Sequence, residues 1–535
     1  MVLFALVCVL SLTIAVASPI LGWFPVVRVS ALFAALLITG CWAARPWSWP
    51  PEQWARVAAW VPSRRAMQAG FALLSVVLWW LVFSRFQAGG IDAVDFTVYF
   101  DRPFYQTIHG RPMFVESTNE PRFANLTHLA VHGYWILIPL SAVYLIHASP
   151  LWLLSLSVAA VAAGAFYVYR VLERCGTAGI LAGAGAFSFA FDGNTARALN
   201  YGFHAEILYA WFVPWAIYAG LRRARAEFLL AVLACLLVKE DAIFPLFGIS
   251  VALALTVGRS MSLRDRIIFL IAPASLALVN LAAFYLLVVP RLSPDGQIMY
   301  SNFWATSGGT PYQSLVWLLR HPLAMGAAAL TSGFFTLVLA SYWYLPALGW
   351  RWVIGVLPLV FVYGVSDNDQ VRAFGIYYSL PLIPFLTIGA AVGARKLLSW
   401  FAPRPIAEVA AAFVLVLTTV STGLGYSLRP WKHELKAVPE ALARLGGYDA
   451  VLVQGGLYPH AGYDARVQLL TPHDVRASEG KRVAILLARR GSAYPLKQEE
   501  WKCLIDLPPL VSMPDGLLAV PLTPEARRCM EERRQ

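Results

Sequence analysis

The feature that most restricts this chain is a succession of long apolar runs separated by short, often basic, loops. Runs able to cross a bilayer, allowing for tilt, lie near 3–24, 29–43, 68–86, 150–170, 178–191, 206–221, 226–238, 242–257, 267–289, 322–340, 352–365, 374–394 and 406–427. Only 13% of the residues are charged, against about 25% in soluble chains, too few to cover a soluble surface. The charge is also unevenly spread. Up to Leu428 it is 43 of 428 residues; from Arg429 onward it is 29 of 107, a soluble density. The fold class expected is therefore mainly α: a polytopic transmembrane helical bundle over 1–428 followed by a small soluble α/β domain over 429–535. The 20 Trp and 22 Tyr suit the headgroup level of a membrane. A net charge of +12 fits Lys and Arg gathered in cytoplasmic loops. No basic stripe interleaved with aromatics and no zinc-finger spacing is present, which sets nucleic-acid binding aside.

Orientation follows from the basic clusters Arg45/Arg56/Arg64/Arg65, Arg170/Arg174, Arg222/Arg223/Arg225, Arg259/Arg264/Arg266 and Arg395/Lys396. All of them fall in the cytoplasm with about thirteen crossings, provided that Tyr134–His147 does not span. That piece reads as a juxtamembrane or half-inserted helix. The N-terminus is then inside and the tail outside, as are Gln87–His132, Asp192–Ala205, Lys239–Asp241, Pro290–Tyr312 and Ser366–Arg372. The opening stretch carries a cleavage-like Ala15-Val16-Ala17 but no basic segment before it, so a retained helix is expected. Cys8, Cys41, Cys175 and Cys235 read as packing residues. Cys503 and Cys529 lie in the tail, where an oxidising compartment permits a bridge and two free thiols are the alternative.

The outward segments hold the polar chemistry. The first contains Asp92, Asp95 and Asp101 within ten residues. If that stretch is helical, Asp95 and Asp101 stand roughly two turns apart on a similar face. A carboxylate there can take the proton of an acceptor hydroxyl, or simply cap short helices. The second is Lys239-Glu240-Asp241, wedged between two apolar runs. Such charges are tolerated only when paired or facing a wet cavity; Lys239 is either a phosphate contact or half of a structural pair. The third, Asn200-Tyr201-Gly202-Phe203-His204-Ala205-Glu206, offers His204 and Glu206 to bind a sugar, orient an acid or ligate a metal, with a hydrogen-bonded structural pair as the alternative. The fourth, Asp367–Arg372, leads into Tyr377-Tyr378, with Pro381 and Pro384 beyond. Prolines there free carbonyls and can shape a cavity.

The stretches VDFTVYFDRPFYQTIHGRP, GFHAEILYAWFVPWAIYAG, VKEDAIFPLFGI, YYSLPLIPFL and, in the tail, VLVQGGLYPHAGYDARVQLL resemble a bacterial integral-membrane family, a domain of unknown function grouped with the GT-C glycosyltransferases. The resemblance covers roughly 85 to 490. It implies a GT-C-like fold whose first outer loop, 87–149, carries the catalytic base and juxtamembrane helices. Carried over, the base is Asp95, with Asp92 and Asp101 as rivals. The chain departs from the family at Asn125-Leu126-Thr127-His128, where a His-Phe-Ser-Pro-like element is common, and at Tyr377-Tyr378, where a His-Tyr pair is common. Two extra helices also precede the loop.

The activity so implied is sugar transfer from a polyprenyl phosphate to an acceptor hydroxyl on the outer face of the bacterial inner membrane. Lys239 is the first candidate for the leaving phosphate, followed by Arg122, Arg291, Arg372 and His204, with Glu240, Asp241, Glu206, Tyr377 and Tyr378 completing the substrate site. The partners are membrane lipid and the lipid-linked donor. No metal ligand set is visible, although the acidic loop could hold a divalent cation. The rival readings are a transporter or flippase of an amphiphilic substrate, and a non-catalytic scaffold.

Overall fold

A computed structural model describes residues 51–531 apart from 59, 61–62, 92, 119–123, 295, 297, 310, 401–403, 424–434, 436, 490–492, 495 and 514. The apolar runs at 3–24 and 29–43 lie outside the described residues, as do Cys8 and Cys41. Five helices are long and apolar enough to cross a membrane: Arg65–Gln87, Leu151–Arg174, Glu240–Ser260, Leu263–Leu292 and Pro322–Ser341. Of the other described runs, 406–427 forms the 20-residue helix Arg404–Gly423 and the rest form shorter helices, so the expected count of crossings is not reproduced among the described residues.

Helix α1 (Arg64–Gln87) starts at Ser63, whose side chain accepts from the Ala66 amide, the usual remedy for unpaired first-turn N–H groups. After it the chain passes through a helical turn at Ala93–Phe96 and a π-turn at Thr97–Asp101 into α2 (Arg102–Ile108). A two-residue hairpin, β1 (Phe114–Val115) with β2 (Leu126–Thr127), follows. The stretch Tyr134–His147 holds only a turn of helix at Leu137–Leu140 and a 3-10 segment at Ser141–Leu145, too short to cross a bilayer.

The helical body is built from α3 (Leu151–Arg174), α4 (Gly179–Phe191), α5 (Gly193–Asn200), α6 (Tyr209–Arg222), α7 (Arg225–Val238) and α8 (Ile243–Val257), with α9 (Ile383–Leu398) and α10 (Arg404–Gly423) later in the chain. Gly164 lets α3 approach α6 so closely that a side chain at this position would collide with the Ala210 backbone. The run read as one crossing over 374–394 is helical only from Ile383; Phe374–Leu382 runs in turns, with Phe374 and Ile376 in the left-handed region. Pro381 disfavours helix just before it and lacks a donor, while Pro384 sits in the first turn of α9, where proline is tolerated.

The tail forms a five-stranded sheet from β3 (Ala450–Val453), β4 (Val467–Leu469), β5 (Val483–Ala488), β6 (Val511–Ser512) and β7 (Leu517–Pro521), in the order β4-β3-β5-β7-β6. β3 is parallel to β4 and β5, while β7 is antiparallel to β5 and β6. Every residue of β3 and β5 is buried because both faces are covered. Leu452, Ile485, Leu487, Leu518 and Val520 pack with Trp501, Leu504 and Met530 on one side. Their alternates Val451, Val453, Ala484 and Leu486 join the core that continues into the helical body. Cys503 and Cys529 are bridged, tying Gln498–Ile505 to Pro524–Glu531.

Candidate functional site

Three interruptions in the helices meet at one place. Between α7 and α8, Lys239 has extended backbone and Glu240–Ala242 forms a 3-10 turn, so three ionisable side chains leave the helix axis together. Between α5 and α6, Gly202 takes a positive φ that only glycine adopts easily, and the Phe96 ring lies 3.0 Å from where a Cβ would sit. This seats the helical segment bearing Asp95 against His204. The third interruption is the non-helical stretch carrying Tyr377 and Tyr378.

Their side chains form one network. Lys239 Nζ donates to Glu206 Oε1 at 2.6 Å and lies 3.7 Å from Asp241 Oδ2. The other Glu206 oxygen takes His204 Nδ1, and the Tyr134 hydroxyl lies within 3.4 Å of both oxygens. Tyr209 and Tyr363 donate to the two oxygens of Asp241 at 3.2 and 3.3 Å. Glu240 accepts from the Gly133 amide and pairs with His132 Nδ1, both at 2.9 Å. Asp95 accepts from the Tyr201 hydroxyl. His204 stacks on Tyr377 at 3.5 Å between ring centroids, and the Tyr377 hydroxyl lies 3.4 Å from that of Tyr378.

Lys239 and Glu206 are 6% and 2% exposed, a burial that would be prohibitive for either charge alone. Pairing with Lys239 plus the hydrogen bonds from His204 and Tyr134 to Glu206 makes it tolerable. Burial pushes His204 below the usual imidazole range against the pull of Glu206, which favours a neutral ring with its proton on Nδ1, donating to that carboxylate. His128 is likewise held well below its ordinary value by burial, with His132 adding to the shift.

The structure thus brings together Asp95, His204, Glu206, Lys239, Glu240, Asp241, Tyr377 and Tyr378. Asp101 points elsewhere, to Tyr144 at 2.6 Å and Tyr463 at 2.8 Å. The expected shared face with Asp95 is corrected here: six residues at about 100° each leave the two some 120° apart on an α-helix, and the π-turn changes the rotation again. Asp92 and Arg122 lie outside the described residues. Arg291 donates to the carbonyl of Leu287 in its own helix at 2.7 Å. Arg372 pairs with Asp369 and borders a separate cavity of about 420 Å³ with Thr306, Ser307, Trp317, Ser366 and Asp367. Among the described residues no group of three or more His, Cys, Asp or Glu is arranged for a metal ion.

Tyr134, Tyr201, Tyr209, Tyr363 and His132 were given no role by the sequence reading. The signal for Tyr209 and Tyr363 is a phenol inside an apolar run, since a buried hydroxyl needs a partner. Tyr201 and His132 carry no such mark.

Membrane-length apolar helices around a buried charged network at helix interruptions define a polytopic membrane protein with a polar site built from its breaks. The chain belongs to the family of predicted membrane proteins designated DUF2079, whose profile matches residues 93–438. No curated protein matches the sequence. Among solved structures, the chain is similar to ArnT from Cupriavidus metallidurans bound to undecaprenyl phosphate (TM-score 0.49, 12% identity, 86% of this chain and 99% of that one). The apo form of the same protein gives 0.45, 13%, 85% and 98%. The arabinofuranosyltransferase AftD from Mycobacteria gives 0.43, 15%, 80% and 35%.

Proposed function

We propose that the protein is a membrane glycosyltransferase that moves a sugar from a polyprenyl phosphate to an acceptor hydroxyl at the outer face of the inner membrane. One observation carries this reading: Asp95 and Lys239, 144 residues apart in sequence, are joined through Tyr201, Tyr377, His204 and Glu206 in one cluster of stacked rings and carboxylates. Aromatic faces beside carboxylates suit a sugar, whose C–H groups stack while its hydroxyls donate. The motif resemblance to a family grouped with the GT-C glycosyltransferases points the same way. The Cys503–Cys529 bridge favours an oxidising compartment for the tail.

Asp95, oriented by Tyr201, takes the proton of the acceptor hydroxyl. The acceptor oxygen bonds to the anomeric carbon as the carbon–oxygen bond to phosphate breaks in line, and the electron pair leaves on the phosphate monoester. Lys239 has three N–H donors. Glu206 uses one at 2.6 Å, while Asp241 at 3.7 Å is beyond hydrogen-bond range. The remaining donors serve the charge that develops on the leaving group. His204 and Tyr377 supply the ring face for the sugar, and Glu206 holds both His204 and Lys239.

The test is transfer from a radiolabelled polyprenyl-phosphate sugar by full-length protein in lipid nanodiscs. The expected result is turnover by the wild type and its loss in Asp95→Asn. Undiminished transfer by that variant removes Asp95 as the base.

A further inference from the structure

In open α/β sheets the crevice beyond the carboxyl ends of the parallel strands is where ligands are received. In the tail sheet this edge, at the ends of β3 and β4, is covered by the chain's own first loop. The β3–β4 connection, Gln454–Arg466, reaches that loop on both sides of Asp95. Before it, His460 Nε2 lies 3.0 Å from the Phe86 carbonyl oxygen, and Gly455 lies against Val94, whose side chain would be 3.2 Å from an added Cβ. After it, the Tyr463 hydroxyl donates to Asp101 at 2.8 Å while its ring stacks on Tyr105 at 4.3 Å between centroids and 4° between planes. Arg102 Nη2 donates to the carbonyls of Gly462 and Asp464 at 3.1 and 3.3 Å, and its other arm holds Glu116 at 3.0 Å. Asp101 is 2% exposed and Arg102 4%.

Two buried charged side chains in succession are a costly way to join two surfaces that apolar residues could join. What they add is direction. All but the His460–Phe86 contact fall on the helical stretch from Ala93 to Ile108, which a π-turn at Thr97–Asp101 interrupts. We propose that the loop Gln454–Arg466 is a positioning clamp for Asp95, acting through Tyr463, Asp101 and Arg102, so that the tail sheet serves the reaction without a site of its own. The proposal rests on the reading of Asp95 as the base. Asp101 is then a positioning residue. A reacting group displaced by about 1 Å can lose on the order of a hundredfold in rate, so a clamp distant from the chemistry still governs it.

The test uses the full chain in nanodiscs with Tyr463→Phe, which keeps the stacked ring and removes the donor to Asp101, and with Arg102→Lys as a second variant. Hydrogen exchange across 93–108 and sugar transfer are measured on the same samples. The expected result is exchange at 93–101 faster by about tenfold or more, with kcat lowered by about tenfold to a hundredfold and KM little changed. Asp95→Asn, measured alongside, should lower transfer by about 10²–10⁴-fold and leave exchange unaltered. Unchanged exchange in both clamp variants overturns the clamp. Faster exchange with unchanged kcat also overturns it, because the docking is then structural. A wild type that transfers no sugar defeats the reading of Asp95 instead, and exchange still decides whether the loop fixes the helix.

Discussion

Lys239 donates to Glu206 at 2.6 Å across 33 residues of sequence, in preference to its neighbour Asp241 at 3.7 Å. This cross-link ties the α7–α8 break to the start of α6. It also defines what a substitution should do. Removing one partner of a buried pair strands the other charge and costs about 3–5 kcal/mol, whereas replacing both is far milder. Lys239→Met should therefore lower stability by that order in detergent unfolding, and the double variant with Glu206→Gln should recover most of it. If Lys239 serves the leaving phosphate, the double variant stays inactive despite its recovered stability. A double variant that transfers sugar normally would make the pair structural only.

Asp95 and Tyr201 separate chemistry from orientation. Losing a general base costs about 10²–10⁴-fold in rate, so Asp95→Asn should fall by that much with donor binding retained. Tyr201→Phe keeps the ring and removes only the hydroxyl bonded to Asp95. Its kcat should drop by less than that of Asp95→Asn, with KM little changed. Equal losses in both variants would mean that the two residues act as one structural unit.

These relations bear on what the sequence alone could disclose. Strands β3, β5 and β7 stand in the sequence as the unbroken apolar runs AVLV, VAILLA and LLAVP, as strands covered on both faces do. Lys239-Glu240-Asp241 was legible as a site because three charges between apolar helices must be paired. Their partners were not. Proximity in sequence favours Asp241 for Lys239, and only the packing of α6 against α7 delivers Glu206. Asp95 and Asp101 looked equivalent as acidic residues in one loop; what distinguishes them is Tyr201 on one side and Tyr463, more than 360 residues later, on the other. The unwinding of Phe374–Leu382 was hidden by its hydrophobicity, which suits a helix and a buried turn equally well.

Asp101 gives a pH signature. Burial raises its carboxyl from 3.8 to about 6, against the hydrogen bonds from Tyr144 and Tyr463 and the charge of Arg102. The folded protein then holds a proton that the unfolded chain has already lost, so this group's contribution to stability falls as pH rises through that window. His460 acts in the opposite sense. Burial lowers it from 6.5 to about 4, so the unfolded chain binds the extra proton and stability rises with pH between those values. Thermal unfolding of Asp101→Asn should thus show a steeper gain in stability between pH 4 and about 6 than the wild type. Parallel curves would show that Asp101 titrates alike in both states.

The bridge between Cys503 and Cys529 tests location and stability together. It spans 26 residues, and closing a loop of that size in the unfolded chain is worth about 3–4 kcal/mol on the chain-entropy view. Both helices it joins pack on the sheet face that includes Leu452, Ile485 and Leu518, so the loss should be local to the tail. Cys503→Ser with Cys529→Ser should lower the unfolding temperature of the tail and leave the helical body unaffected, as read by limited proteolysis on heating. In intact cells or right-side-out vesicles, a membrane-impermeant maleimide should label these cysteines only after an impermeant reductant has been added. Labelling without reductant would mean that the bridge does not form in the cell. Labelling that requires permeabilisation would place the tail in the cytoplasm, and the proposed outer-face reaction would have to be abandoned.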